Sequence, residues 1–213
     1  MATYLEDSLT LPLSAVLARM QQRILTQTHY FGILTLKNPL DFWVYQEIIT
    51  AQPPDVIIEI GNYHGGSTLA LAHLCDVMQH GRIIALDINQ QAIAVAARQH
   101  PRITFIEGDA VASLTQVKPL IQPGENILVL EDSAHTYAHT LQVLETYAPL
   151  LQVGNYFIVE DSICHHGLEA GPNPGPYEAI AEFLRHHPEF VMDRDRESFL
   201  ISWNPTGYLK RIV

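Results

Sequence analysis

Cysteine is nearly absent from this chain. Its two cysteines, Cys75 and Cys164, stand far apart among 213 residues. That spacing gives no sign of the disulfide framework of small secreted domains, and reduced thiols in a cytoplasmic protein are the expectation. Positive charge is also scarce: 12 Lys and Arg face 23 Asp and Glu, a net charge of −11. Without a basic run, a nucleic-acid surface or a contact with anionic membrane has nothing to build on. No apolar run reaches the roughly 20 residues that a membrane-spanning helix needs. Met1 to Thr10 carries acids where a secretory leader would carry an apolar core. The dinucleotide fingerprint G-x-G-x-x-G is missing too.

What is present is organised around Asp55 to Thr68, D-V-I-I-E-I-G-N-Y-H-G-G-S-T. A short Val/Ile-rich run, then Gly61, Gly65 and Gly66, then Ser67 and Thr68 ahead of an apolar-periodic segment predict a buried strand, a tight turn and a helix start. Glycines let the backbone adopt positive φ and approach a ligand. The free N–H groups of a helix start favour a polar or anionic group. An acid, Glu59, just before the first glycine suits a cofactor with an amino-acid tail better than a pyrophosphate. The second strand ends at Asp87-Ile88, where Asp87 is placed to take ribose hydroxyls. The third ends Glu107-Gly108-Asp109-Ala110, positioned to flank an adenine. Three successive strand ends agreeing in this way predict an S-adenosylmethionine (SAM) site of the class I methyltransferase kind.

Strand and helix patterns alternate from there on. Strands are expected near 56–60, 82–88, 103–107, 127–131 and 156–160, and helices near 67–78, 90–99, 110–117 and 136–150. The strand runs are continuously apolar, as in parallel strands buried on both faces. The alternation predicts a doubly wound, mostly parallel α/β sheet. Phe190–Asp195 and Phe199–Trp203 read as two final edge strands, making seven. Asp41 reads as the N-cap of a helix to Ala51, and Thr35 to Lys37 as a segment reaching the cofactor pocket from outside the sheet. Residues 1–40 form an N-terminal helical extension in this reading, a core cover, lid or oligomer contact, and residues 41–213 form the SAM-dependent methyltransferase domain. The Gly- and Pro-rich loop Gly167 to Pro176 is expected to lie over the site.

A second constellation follows from L-E-D-S-A-H and I-V-E-D-S. If the fourth and fifth strands are neighbours, about 4.8 Å apart, then Asp132, Glu160 and Asp161 converge beside the SAM site. Their mutual repulsion is relieved by a hard divalent cation, Mg²⁺ first, with Mn²⁺ or Ca²⁺ as alternatives. His135, three residues after Asp132 at a helix start, suits a general base. His139 reads as a helix-surface residue. Cys164, His165 and His166 lack a partner pair at zinc-finger spacing, and the two histidines are expected to face substrate.

The runs E-I-G-N-Y-H-G-G-S, L-E-D-S-A-H-T-Y and I-V-E-D-S-I-C-H-H-G, with G-P-N-P-G-P-Y and W-N-P-T-G-Y-L-K-R, resemble the cephalosporin hydroxylase family of antibiotic biosynthesis. That family is related to the macrolide-sugar O-methyltransferases. The resemblance runs from about Gly32 to the end. It implies a Rossmann-like fold, SAM as cofactor and a Mg²⁺ requirement. By motif it assigns Asp132, Glu160 and Asp161 to the metal and His135 to the base, and places Glu59, Gly61, Asp87 and Asp109 at the SAM positions. The full expected cofactor set is Glu59, Gly61, Tyr63, His64, Gly65, Ser67, Asp87, Ile88, Asp109, Ala110 and Asp132. The resulting expectation is Mg²⁺-assisted O-methylation of a hydroxyl on a small natural product by a homo-oligomer. A SAM-binding component of a hydroxylation or methoxylation system, a nicotinamide-dependent oxidoreductase and a non-catalytic SAM-binding module are the alternatives.

Overall fold

The computed structural model describes residues 4–213; residues 1–3 of the expected extension lie outside the described residues. The chain runs α1 (Leu13–Gln27), β1 (His29–Tyr30), β2 (Ile33–Leu34), α2 (Pro39–Ala51), β3 (Val56–Ile60), α3 (Gly66–Met78), β4 (Arg82–Asp87), α4 (Val95–Arg98) and β5 (Ile103–Glu107). It continues α5 (Leu114–Val117), β6 (Ile127–Glu131), α6 (Tyr137–Tyr147), β7 (Tyr156–Val159), α7 (Pro176–His186), β8 (Phe190–Met192) and β9 (Tyr208–Arg211). Seven strands form one sheet in the order β5-β4-β3-β6-β7-β9-β8. All neighbours through β7 are parallel, and β9 is antiparallel to both β7 and β8. The doubly wound, mostly parallel seven-stranded fold is therefore present. Among the described residues no helix is long and apolar enough to cross a membrane.

β3 and β6 are wholly buried along their length. Alternate β3 residues feed two separate cores. Val56, Ile58 and Ile60 pack toward Val143, Leu144 and Phe183 of α6 and α7, whereas Ile57 packs toward Val44, Ile48 and Leu71 of α2 and α3. Full burial of one such side chain contributes about 1.5–3 kcal/mol. α7 shows how the helical period meets this sheet: Pro176, Ala179, Ile180 and Phe183 recur at one face and are all buried.

Several expected boundaries move. α2 starts at Pro39, and its cap is Asn38, whose side chain accepts the Leu40 N–H at 3.2 Å; Pro at the first helical position loses no needed donor. Asp41 is instead buried inside the first turn. Its carboxylate accepts from Asn38 Nδ2 (2.7 Å), Ser202 Oγ (2.7 Å), Trp203 N (2.8 Å) and Tyr208 OH (2.9 Å). Those bonds hold Phe199–Trp203 as an irregular segment, not the expected strand; the last strand is Tyr208–Arg211. The helix expected over 90–99 shrinks to Val95–Arg98, because Gln90 donates its side-chain amide to Ala85 O (3.2 Å) and Ile106 O (2.9 Å) and holds the chain in a turn. The helix expected over 110–117 shortens to Leu114–Val117.

His187, just past α7, gives this end of the sheet a pH dependence. Its ring bonds Glu189 at 3.0 Å and Glu145 of α6 at 3.0 Å. Burial opposes its proton, but the two carboxylates outweigh that and raise its pKa above the usual 6.5. This contribution to stability is complete below about pH 6.5 and is lost as pH rises through the raised value. Denaturant midpoints measured across that range should fall with pH in the wild type more than in His187→Gln, and identical profiles would refute the assignment.

Candidate functional site

The carboxyl ends of β3 to β7 open into one cavity of about 650 Å³. It lies where the strand order reverses between β3 and β6, the usual ligand position in open α/β sheets. One end is lined by Gly61, Asn62, Tyr63, Gly66 and Ser67 after β3, Asp87 and Ile88 after β4, and Gly108, Asp109 and Ala110 after β5.

Glycine is required at position 61. Its φ is +92°, and a Cβ there would overlap the carbonyl oxygen of Asp132 on the loop after β6. The loop is then pinned to the next strand: Asn62 and Tyr63 donate their N–H groups to Asp87 Oδ2 at 2.7 and 3.0 Å. Asp87 Oδ1 accepts from Asn89 N at 3.1 Å. Gly65 caps α3 in the left-handed region, at φ +80°. Glu59 stands behind the loop and off the cavity wall. It is fully buried, accepts from Asn62 Nδ2 at 3.0 Å and from the Thr68 hydroxyl, and leaves Oε1 without a partner. Burial raises its pKa, partly offset by the charge of Lys37. Of the residues expected to hold the cofactor, Glu59, His64 and Gly65 are set back from the wall and the others line it.

The opposite end gathers Asp132, His135 and Asp161. β6 and β7 are neighbours, as the acid pattern required, and the Glu160 N–H donates to Glu131 O at 2.9 Å. His135 Nε2 lies 3.3 Å from Asp161 Oδ2 and 3.6 Å from Asp132 Oδ1. One ligand atom from each of these three residues falls within 4.8 Å of the other two. His135 Nδ1 is buried without a partner, so Nε2 is the nitrogen presented to the acids. His135 is not in a helix: it precedes the Thr136 cap of α6 and has φ +52°. Asp161 has φ +56°. Such backbone costs of order 1–3 kcal/mol for a non-glycine residue and clusters at functional sites.

Glu160 is off the cavity wall, facing a residue whose role sequence reasoning missed. Lys37, between β2 and α2, donates from Nζ to Glu160 Oε1 at 2.6 Å and to Asp132 Oδ2. The Lys37 side chain is 6% exposed. Burial disfavours its charge, yet Asp132 and Glu160 hold its pKa above the ordinary lysine value. Glu160 is raised well above the carboxylate range by burial and by Asp132, against the pull of Lys37. Asp161 is pushed up to about 6, chiefly by burial, with His135 opposing and Asp132 reinforcing. The only sequence signal for Lys37 was that residues 35–37 reach toward the pocket, and Thr35, Leu36 and Lys37 do line it.

The remaining wall is mostly apolar. It comprises Gln21, Ile24 and Leu25 of α1, Ile163 and Cys164 after β7, Leu168, Ala170, Gly171 and Pro172 of the Gly/Pro-rich loop, and Trp203. Leu17 and Ile24 of α1 pack on Ile163, Leu168 and Trp203, so the helix closes over the site. His139 lines the cavity too, against the expectation of a surface residue. His165 and His166 do not: His165 Nε2 lies 3.0 Å from Gly171 O, and His166 bonds Glu178 at 2.6 Å and stacks on Tyr177.

The donors suit the expected groups. Oxygens of Asp132 and Asp161 brought together beside an imidazole fit a hard divalent cation, and the glycine turn with acids after β4 and β5 fits a nucleoside with an amino-acid tail. The profile of the family described as Rhamnosyl O-methyltransferase/CmcI matches residues 22–212. A rhamnosyl O-methyltransferase of Mycobacterium tuberculosis is 34% identical over 195 residues, covering 87% of this chain and 79% of that protein. Its counterpart in Mycobacterium leprae is 35% identical over 192 residues, covering 86% and 83%. A solved structure of CmcI with Mg and SAM superposes with a TM-score of 0.71 at 26% identity, over 87% of this chain and 77% of that one. The chain belongs to the rhamnosyl O-methyltransferase/CmcI family of SAM-dependent O-methyltransferases.

Proposed function

We propose that this enzyme methylates a hydroxyl of a small natural product in a Mg²⁺-assisted reaction. The observation that carries the reading is the approach of Asp132, His135 and Asp161 at one wall of the cavity, opposite the glycine turn. SAM, when bound, supplies the electrophilic methyl group. Gly61 lets the loop come close to it, while Asp87 and Asp109 offer carboxylates to its hydroxyl and amine groups. Asp132 and Asp161 would hold Mg²⁺, which would supply Lewis acidity to an acceptor oxygen, while Glu160, expected as a third ligand, is turned to Lys37 instead. His135 Nε2 takes the acceptor proton, and Asp132 and Asp161 stabilise the imidazolium that results. The α1 residues and the Gly/Pro-rich loop exclude water and orient the acceptor, and such positioning is worth about 7–11 kcal/mol in well-oriented systems.

A cation held by Asp132 and Asp161 would leave positions for acceptor oxygens, so vicinal diols are the acceptors to test. Support for magnesium comes from this donor set and from the CmcI structure with Mg and SAM. The test is methyl transfer from isotopically labelled SAM to a panel of catechols and sugar-like vicinal diols, with and without chelator. Label should pass to a diol oxygen and stop when chelator is added; transfer at full rate in chelator would refute the metal role.

A further inference from the structure

Three carboxylates meet at the ends of β6 and β7, and one side chain bonds two of them. The Lys37 ammonium bonds Glu160 at 2.6 Å and also bonds Asp132, in a pocket that leaves it 6% exposed. It reaches them across 123 and 95 residues of sequence. Its backbone is held independently of the acids. Thr35, two residues earlier, donates its N–H to Thr28 O at 2.8 Å and its hydroxyl to Ile33 O at 2.9 Å. Asn38, one residue later, caps α2. The chain is thus anchored on both sides of Lys37, which sets its side chain at the acid cluster.

We propose that Lys37 is a tethered counter-ion. It holds the acid cluster together when no metal is present, and it competes with the divalent cation for Asp132. Three like charges at such range destabilise a buried site unless cations accompany them. The ammonium and the His135 ring are the positive or protonatable groups placed to do this. Lys37 takes Asp132 Oδ2 and Glu160 Oε1, while Asp132 Oδ1 and Asp161 Oδ2 remain on the His135 side. A cation entering there meets a site already partly neutralised, so its affinity is set below what three free acids would give. Lys37 is thus a positioning residue that tunes the metal site, and this inference rests on the magnesium reading above.

The experiment pairs Lys37→Met with Lys37→Arg and reads Mg²⁺ affinity by calorimetry and thermal midpoint in chelator, neither of which needs activity. Removing a unit charge a few ångströms from a divalent ion should tighten Mg²⁺ binding by roughly tenfold or more. In chelator, Lys37→Met should melt below the wild type, and added Mg²⁺ should recover more of its midpoint than it adds to the wild type. Lys37→Arg keeps the charge and should bind Mg²⁺ as the wild type does. A Lys37→Met protein with unchanged or weaker affinity overturns the proposal, as does a Lys37→Arg protein that binds as tightly as Lys37→Met. A Lys37→Met protein that Mg²⁺ cannot restore to the folded state overturns it as well. Flat titrations with both folded wild type and Lys37→Met would instead remove magnesium from the proposed function, and the competition with it. A measurable wild-type affinity that Lys37→Met does not raise removes only the role given to Lys37.

Discussion

Replacing His135 with glutamine should lower kcat by about 10²–10⁴-fold, the range for loss of a general base, while SAM binds as before. The ring reaches the acids only through Nε2, 3.3 Å from Asp161 and 3.6 Å from Asp132, and its other nitrogen is buried without a partner. Glutamine keeps a polar group of similar reach but cannot carry a proton away. The pH profile separates loss of a base from a loosened loop. Removing a base flattens the acid-side fall of kcat, whereas a structural defect lowers kcat evenly and weakens SAM binding too. A variant with wild-type kcat would contradict the role of His135.

Gly61→Ala should be damaging for a different reason. The added methyl must occupy the space of the Asp132 carbonyl oxygen, and the residue must keep φ at +92°. Left-handed backbone and overpacking together cost roughly 2–5 kcal/mol. Relief requires the loops after β3 and β6 to separate, which moves the SAM turn and the acids at once. A lowered denaturant midpoint and loss of SAM binding are expected together. Gly124 provides the control, since its φ is also positive but a Cβ there meets nothing within 4 Å; Gly124→Ala should disturb stability less and SAM binding not at all. If Gly61→Ala matched the wild type in both measurements, the close packing of the two loops would not be essential.

The sheet could be read from the chain because its strands are short runs of Val, Ile and Leu ending in glycine or acid, and their parallel pairing follows from alternation with helices. The placement of Asp132 beside Glu160 and Asp161 followed from a single assumption, that β6 and β7 are neighbours, which their register bears out. What escaped depends on side chains reaching across long separations. Gln90 looks like a helix residue until Ala85 and Ile106 offer it carbonyls. Phe199–Trp203 alternates like a strand, but Asp41, some 160 residues earlier, captures Ser202 and the Trp203 N–H. Tyr208–Arg211 has the composition of a strand, yet it sits in a closing motif whose Pro and Gly suggest a turn. Lys37 is legible only as part of a segment, residues 35–37, that reaches toward the pocket. Its meaning appears only once the fold sets it between Asp132 and Glu160.

The most direct measurement is calorimetric titration of SAM into chelator-stripped protein, followed by catechol and sugar-like diols before and after Mg²⁺ is added. SAM should bind without metal, and a diol only once Mg²⁺ is present. Failure of SAM to bind would contradict the reading of the glycine turn and the acids after β4 and β5. Diol binding that ignores Mg²⁺ would contradict the metal role of Asp132 and Asp161.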